Sequence, residues 1–366
     1  MKHYGEEDKI MIQNTEKKAM HTIEKAIRFE KPEYIPMDFV INPSCWGVYD
    51  HNDLWDLMES HPFLFPGFVR PKEPFQPILS NVMRKDQPYV DDWGCLWETP
   101  LDGLTGTVTR HPLDDWSKYA AYRIPDPSKC YGIGKVDWEE EREKVEKQRA
   151  GGEFIARGLR HGHTFLQITD IRGYTNALYD MFDEEPLLND LLDKITEFNS
   201  YIIQKYLDMD VDMIIIPEDL GMQNGPMLSP DNFNDYIMPC YKKMANLVKQ
   251  KGTLLHMHSD GDIRTLVPSL LECGMDVLNL QDLVNGIDWI KENLKGKLCI
   301  ELDIDRQNIT PYGTEADIDR LILEEVKTLG NKEGGLMMIY GLYPGVPLKN
   351  AKALMDAMEK YAFYYN

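Results

Sequence analysis

The chain of 366 residues is poor in positive charge: 40 Lys and Arg stand against 61 Asp and Glu, a formal charge of −21. A surface this acidic repels phosphate backbones, so no nucleic-acid partner is expected. Long apolar runs are missing too. Stretches such as residues 213–217 and 298–300 fall far short of the roughly 20 residues that cross a bilayer, and the opening MKHYGEED has no apolar signal segment. The expectation is a cytoplasmic protein that does not enter a membrane. Six cysteines lie far apart with no C-x-x-C pair, which speaks against a disulfide framework or a thiolate zinc site. No G-x-G-x-x-G, P-loop, H-E-x-x-H or nucleophile elbow occurs. The lone Gly132-Ile133-Gly134 is too short to stand for the first of these.

Hydrophobic residues make up 43% and aromatics 10%, enough to cover a sizeable core. The length suits one large α/β barrel or two ordinary domains. With no low-complexity tract, long linker or fixed-period repeat, one continuous domain over residues 1–366 is expected. Its first part, to about residue 152, is irregular and rich in Pro and Trp. It holds an opening helix around residues 15–29 and a strand-like run at 34–41.

From residue 153 onward, short apolar runs alternate with amphipathic segments, the sign of repeated βα units around a parallel sheet. Strands are expected at residues 154–157, 165–169, 213–217, 253–258, 277–280, 298–302 and 336–340. Helices are expected at 185–207, 230–251, 263–273, 286–294, 315–329 and 348–361. Ser229-Pro230 supplies an N-cap followed by a preorganised first residue, and Thr314 with Asp317 resembles a capping box. With residues 34–41 these strands number eight, which closes a (β/α)8 TIM barrel carrying an irregular N-terminal extension.

In such barrels the active site lies where the strands end. The residues that follow the apolar runs are Asp170, Arg172 and Tyr174; Glu218, Asp219 and Met222; His256 to Asp262; Gln281 and Asp282; Glu301, Asp303 and Asp305; and Tyr340. Within them, His256-x-His258-x-Asp260 is the most informative piece, because residues two apart on a strand share a face. A borderline-soft divalent ion accepts imidazole and carboxylate, so His258 is the expected metal ligand, with Glu218, Asp260 or Glu301 completing the site. The competing reading is plain structure, with histidines that are merely hydrogen-bonded and carboxylates that cap helices.

Several of these segments resemble the uroporphyrinogen decarboxylase superfamily. They are Pro217 to Gln223 with Gly225-Pro226 and Ser229-Pro230; His258-Ser259-Asp260-Gly261-Asp262-Ile263; Gly274 to Asn279; and Tyr340-Gly341 through Asn350. Arg28 with Glu33-Tyr34-Ile35-Pro36 is similar to the family's opening segment. The resemblance implies a (β/α)8 barrel and covers both true decarboxylases and corrinoid-linked methyltransferases that use zinc. True decarboxylases carry R-Q-A-G-R after the first strand, where this chain reads Asn42-Pro43-Ser44-Cys45-Trp46-Gly47, and a late H-G pair, matched here by Tyr340-Gly341. Charge points the same way. Uroporphyrinogen carries eight carboxylates, each meeting roughly 1–4 kcal/mol of repulsion from a site carboxylate at ~4 Å. A rim of Glu218, Asp219, Asp260, Glu301 and Asp303 with only Arg172 nearby suits a cation, a metal or a neutral donor better. Where thiol-methylating members have H-x-C-G, this chain has His258-Ser259-Asp260-Gly261, a harder donor set suited to polarising an ether oxygen.

The resemblance thus implies a corrinoid-dependent methyltransferase, in which a small methoxy compound such as an aryl methyl ether yields its methyl group to the Co(I) corrinoid of a partner protein. Zinc is the expected metal and Lewis acid. Tyr340 or His256 would protonate the leaving oxygen, and Trp46, Trp93, Trp97, Tyr174 and Met222 would wall the donor. The alternatives are a methylamine or quaternary-amine donor, a decarboxylase in which Asp91 or Asp92 stabilises a protonated pyrrole, and a non-catalytic barrel. Assembly is left open between monomer and homodimer.

Overall fold

Seven parallel strands form the main sheet among the described residues, in the order Met37–Ile41, Leu336–Leu342, Cys299–Asp303, Val277–Gln281, Leu254–Ser259, Met213–Pro217 and Ala156–Gly158. The computed structural model describes residues 22–366 apart from Glu73. The strands are β1 (Met37–Ile41), β5 (Ala156–Gly158), β6 (Met213–Pro217), β9 (Leu254–Ser259), β10 (Val277–Gln281), β11 (Cys299–Asp303) and β12 (Leu336–Leu342). The remaining strands lie outside this sheet. β2 (Tyr89–Val90), β3 (Leu96–Glu98) and β4 (Thr107–Arg110) form an antiparallel flap, and β7 (Gly221–Met222) with β8 (Gly225–Pro226) a small hairpin.

The order follows the chain from β5 round to β12, with β1 added beside β12, as a TIM-like barrel requires. The helices fall where the apolar periodicity puts them: Pro186–Leu207, Met238–Lys251, Glu315–Leu329 and Leu348–Ala362. The capping box at Thr314 and Asp317 is formed in both directions. Ser229 Oγ accepts the Asn232 N–H at 3.1 Å. Of the opening helix, residues 22–28 are helical, and its expected start at 15–21 lies outside the described residues.

The expected eighth strand at 165–169 is instead a helix, Phe165–Arg172. Leu166-Gln167-Ile168-Thr169 alternates like a strand, but Phe165, Ile168 and Ile171 also recur at helical spacing, and all three are fully buried. Such short apolar runs are ambiguous by period alone. What settles the matter is a tertiary partner: the Glu218 carboxylate accepts the backbone N–H groups of Thr164 and Leu166, both at 2.9 Å, which serves the orphan donors of a helix N-terminus.

The seven-stranded sheet leaves the edges of β1 and β5 unpaired with each other, and the flap packs beside the Phe165–Arg172 helix. It is moored to the same helix: His111 Nδ1 lies 2.7 Å from the Asp170 carbonyl oxygen, and the Leu113 N–H donates to the Ile171 carbonyl at 3.0 Å.

Strand alternation sorts the side chains into an interior set and an outer set packed on helices. At the floor, Met213, Leu254, Val277, Cys299 and Met337 cluster with Ala26 and Ile27 of the first helical segment. Burying an Ile side chain such as Ile27 stabilises by about 1.5–3 kcal/mol, so the helix plugs the barrel bottom. Two residues further along each strand stand His256 and Glu301, and above them His258, Asn279, Asp303, Ile339 and Gly341 line the mouth.

Candidate functional site

The mouth opens into a cavity of about 810 Å³. Val40, Val82, Trp97, Val108, Ile133 and Leu166 contribute apolar lining, and Arg160, His161, Asp219, His258, Asp260 and Arg306 are among the polar side chains that line it.

Three of these converge. One ligand atom from each of His161, Asp219 and His258 lies within 4.8 Å of the others. His161 Nε2 stands 3.2 Å from Asp219 Oδ1, and His258 Nε2 stands 3.6 Å from the same oxygen. The two imidazole rings are 5.6 Å apart. Asp219 is steadied by the Asp260 N–H, which donates to its Oδ1 at 3.2 Å. Burial opposes the Asp219 charge, yet the hydrogen bond from His161 and the contact with His258 hold its carboxyl well below the usual carboxylate range. Burial likewise opposes charge on His258, but Asp219, then the negative Asp260, push it up to about 9. A carboxylate held ionised between two imidazoles supplies the nitrogen and oxygen donors that zinc accepts, with room for a further ligand from the cavity. A metal would displace the His258 proton on binding.

Asp260 lies on the same rim, with Oδ1 3.9 Å from His258 Nε2, but Arg306 Nη2 donates to it at 3.1 Å and to Asp303 at 2.6 Å. Burial pushes the Asp303 carboxyl up to about 7 against the pull of Arg306.

The structure places several sequence candidates elsewhere. Glu218, expected as a metal ligand, is fully buried behind the mouth, where it holds the Phe165–Arg172 helix and accepts a hydrogen bond from the Tyr241 hydroxyl. Burial pushes its carboxyl up to about 7, although these donors pull the other way. Glu301 is engaged one layer below the mouth, its Oε2 2.7 Å from His256 Nε2, so neither member of that pair joins the His161 cluster. Tyr340 lies between Ile339 and Gly341, both of which line the cavity, so alternation turns it outward. It is fully buried against Phe39 and donates to Thr310 Oγ1 at 3.1 Å.

Asp92 is exposed and accepts the Gly134 N–H at 2.8 Å, away from the cavity. Trp93 is core, 2% exposed and edge-on to Phe198. A Cβ on Gly132 would sit 2.3 Å from its indole nitrogen, which is why that position, at φ +86°, is glycine. Trp46 lines a separate cavity of about 420 Å³ with His51 and Phe75. Tyr174 spends its hydroxyl on the Met227 carbonyl at 2.5 Å, and Met222 is 47% exposed on the β7–β8 hairpin. Arg172 is also absent from the rim: it is buried, bonded to Asp180 at 2.7 and 3.0 Å and stacked on Trp116.

Sequence reasoning misses His161 as a candidate ligand and misses Arg160 and Arg306 as cavity cations. All three follow strand ends. Arg160 and His161 follow β5 after Leu159, and Arg306 comes after β11, so the rule that finds His258 also points to them. Arg160 is held by Asp170 at 2.8 Å and lies over the Trp97 ring.

Comparison with known proteins adds three findings. The family described as Uroporphyrinogen decarboxylase (URO-D) matches residues 163–361. A uroporphyrinogen decarboxylase from Prochlorococcus marinus is 24% identical over 290 residues, covering 77% of this chain and 76% of its own. One from Trichlorobacter lovleyi is 21% identical over 270 residues, covering 71% and 74%. Among solved structures, a methyltransferase from Methanosarcina mazei superposes with a TM-score of 0.63 at 16% identity, over 93% of this chain and 98% of that one. At that identity the likeness is one of fold.

Proposed function

The chain belongs to the uroporphyrinogen decarboxylase family, and from that membership we propose that it is a metal-assisted methyltransferase. It takes a methyl group from a small methoxy donor, an aryl methyl ether in the simplest case, and passes it to the Co(I) corrinoid of a partner protein. The observation that carries this reading is the His161–Asp219–His258 cluster in the lining of a cavity that also offers apolar side chains. His258, Asp219 and His161 would hold the ion, in place of the set of His258, Glu218, Asp260 and Glu301 that the sequence suggests.

Bound there, a divalent ion such as zinc supplies Lewis acidity toward the ether oxygen of the donor. The protein supplies the rest. Asp219 offers a permanently ionised oxygen. Trp97, Val82, Val108 and Leu166 exclude water and position the donor's apolar body, which turns an encounter into a held geometry. Arg306 and Arg160, which both line the cavity, favour the negative charge that grows on the leaving oxygen as the methyl C–O bond breaks. The nucleophile is the partner's cobalt, so the chain needs none of its own.

The test is methylation of a reduced corrinoid protein by zinc-loaded enzyme with a panel of methoxy and methylamine donors. The expected result is donor-dependent formation of methyl-cobalt that is lost in His258→Ala. Failure of every donor with intact metal overturns the reading.

One observation favours a second reading. Arg160 and Arg306 line the cavity, and two guanidinium groups suit a carboxylate-bearing substrate. A decarboxylase of that kind would release carbon dioxide from uroporphyrinogen after chelator treatment, whereas the methyltransferase would not.

A further inference from the structure

His258 approaches Asp219 through Nε2, and its other ring nitrogen is engaged from the neighbouring strand β10. His258 Nδ1 is hydrogen-bonded to Asn279 Oδ1. Asn279 is 4% exposed and sits on β10, in register with His258 on β9 to one side and Glu301 on β11 to the other. Its Nδ2 donates to the Glu301 backbone carbonyl at 2.9 Å.

These contacts leave the asparagine one orientation. A backbone carbonyl only accepts, so the side of Asn279 that faces Glu301 must be its amide nitrogen. The oxygen is thereby turned toward His258, and because that oxygen also only accepts, His258 Nδ1 must carry a hydrogen. The lone pair of the neutral ring then lies on Nε2, the atom that faces Asp219 and the rim. Three adjacent strands together fix which nitrogen of His258 is offered, with no freedom left to the ring.

We propose that Asn279 is the positioning residue of this site: it locks His258 as the Nδ1–H form, aimed so that Nε2 binds the ion. This rests on the metal-assisted reading above and names the residue that sets the geometry of its central ligand. Outer partners that orient a ligating histidine are commonly worth about 10–100-fold in metal affinity. Asn279 borders the mouth, but its amide oxygen is engaged by His258 and its amide nitrogen by the Glu301 carbonyl, so its effect on the chemistry runs through His258.

Two measurements test it, and neither needs turnover. In the first, wild-type protein with ring nitrogens labelled and zinc loaded is examined by nitrogen–proton correlation NMR. The expected result is His258 protonated at Nδ1 and coordinated at Nε2, and coordination at Nδ1 overturns the inference whatever any variant does. In the second, zinc affinity is titrated against a chelating dye for wild type, Asn279→Ala and Asn279→Asp, with each fold checked by circular dichroism. Asn279→Ala should lose about 10–100-fold, and wild-type affinity in folded Asn279→Ala overturns the inference. Asn279→Asp keeps the acceptor toward His258 and should bind zinc more tightly than Asn279→Ala; equal weakening in both overturns it as well. If wild-type protein binds no zinc, the metal reading itself falls and takes this inference with it. Zinc bound by wild type with no preference among the variants removes this inference alone.

Discussion

Glu218 and Asp219 are consecutive in the chain yet serve opposite sides of the barrel wall. Glu218 Oε1 holds the N–H groups of Thr164 and Leu166 at 2.9 Å, deep beneath a helix, while Asp219 Oδ1 faces His161 at 3.2 Å and His258 at 3.6 Å in the mouth. One of the two organises the fold and the other the site. Replacing them should therefore give separable phenotypes.

Glu218→Ala leaves two backbone donors and the Tyr241 hydroxyl without an acceptor in a fully buried place. The expected loss is about 3 kcal/mol or more of folding stability, read from urea denaturation, while zinc affinity of the folded fraction stays within a few-fold of wild type. Unchanged stability with lost zinc binding would return Glu218 to the ligand set.

Asp219→Ala should strike the site instead. Stability falls by about 1–3 kcal/mol, because the contacts with His161, His258 and the Asp260 N–H are lost, while zinc affinity falls by more than the roughly 100-fold that outer partners contribute. Glu301→Gln, which alters only the layer below, should keep zinc affinity within a few-fold. Isothermal titration of the three proteins distinguishes these outcomes.

Arg160 pairs with two acids at the junction of flap and barrel, the buried Asp91 and the half-buried Asp170. It lies 2.8 Å from Asp170 and 3.8 Å from Asp91, with its own side chain 7% exposed. Arg160→Met leaves both carboxylates unpaired, and breaking such a pair costs about 3–5 kcal/mol. Adding Asp170→Asn should restore part of that loss. If the double variant is no more stable than the single one, the pair carries no coupling.

The pH dependence of stability should carry the mark of Glu325, fully buried on the helix Glu315–Leu329 and close to Asp282. Burial, then the neighbouring Asp282, push the Glu325 carboxyl well above its usual range, and burial pushes Asp282 up to about 6. Both acids hold their protons more tightly folded than unfolded. Their contribution is therefore complete below the unfolded values near 4 and declines as pH rises, for Asp282 until about pH 6 and for Glu325 beyond that. The decline is up to about 1.4 kcal/mol per pH unit for each proton retained. Glu325→Gln removes one such proton, so thermal melts should show the variant gaining on wild type between about pH 4.5 and 7. A constant difference across that range would mean that Glu325 titrates normally.

Much of the fold is legible because its signals are local. The runs that became β6, β9, β10, β11 and β12 are short, apolar and bounded by turn residues, and the capping box at Thr314 needs only its own four residues. The helix Phe165–Arg172 fails this test: its state is decided by a carboxylate some fifty positions later, which no window on the sequence contains. The site divides in the same way. Strand ends bring His258, Asp260 and Asp219 to the rim, but a single step along a strand exchanges inside for outside. Tyr340 was lost by one such step, between Ile339 and Gly341. Glu218 was lost because adjacency to Asp219 says nothing about which side of the wall a side chain serves.

The seam between β1 and β5 has a consequence for how such a protein diversifies. Every other boundary of the barrel is stitched by ladder hydrogen bonds, so altering it would unzip neighbouring strands. The flap that carries Trp97 and Val108 is fastened chiefly by side chains and a few mooring bonds to one helix. Insertions and exchanges there would reshape the Trp97 and Val108 side of the cavity while leaving His161, Asp219 and His258 in place, so the shape of the pocket can change without disturbing the cluster at the strand ends.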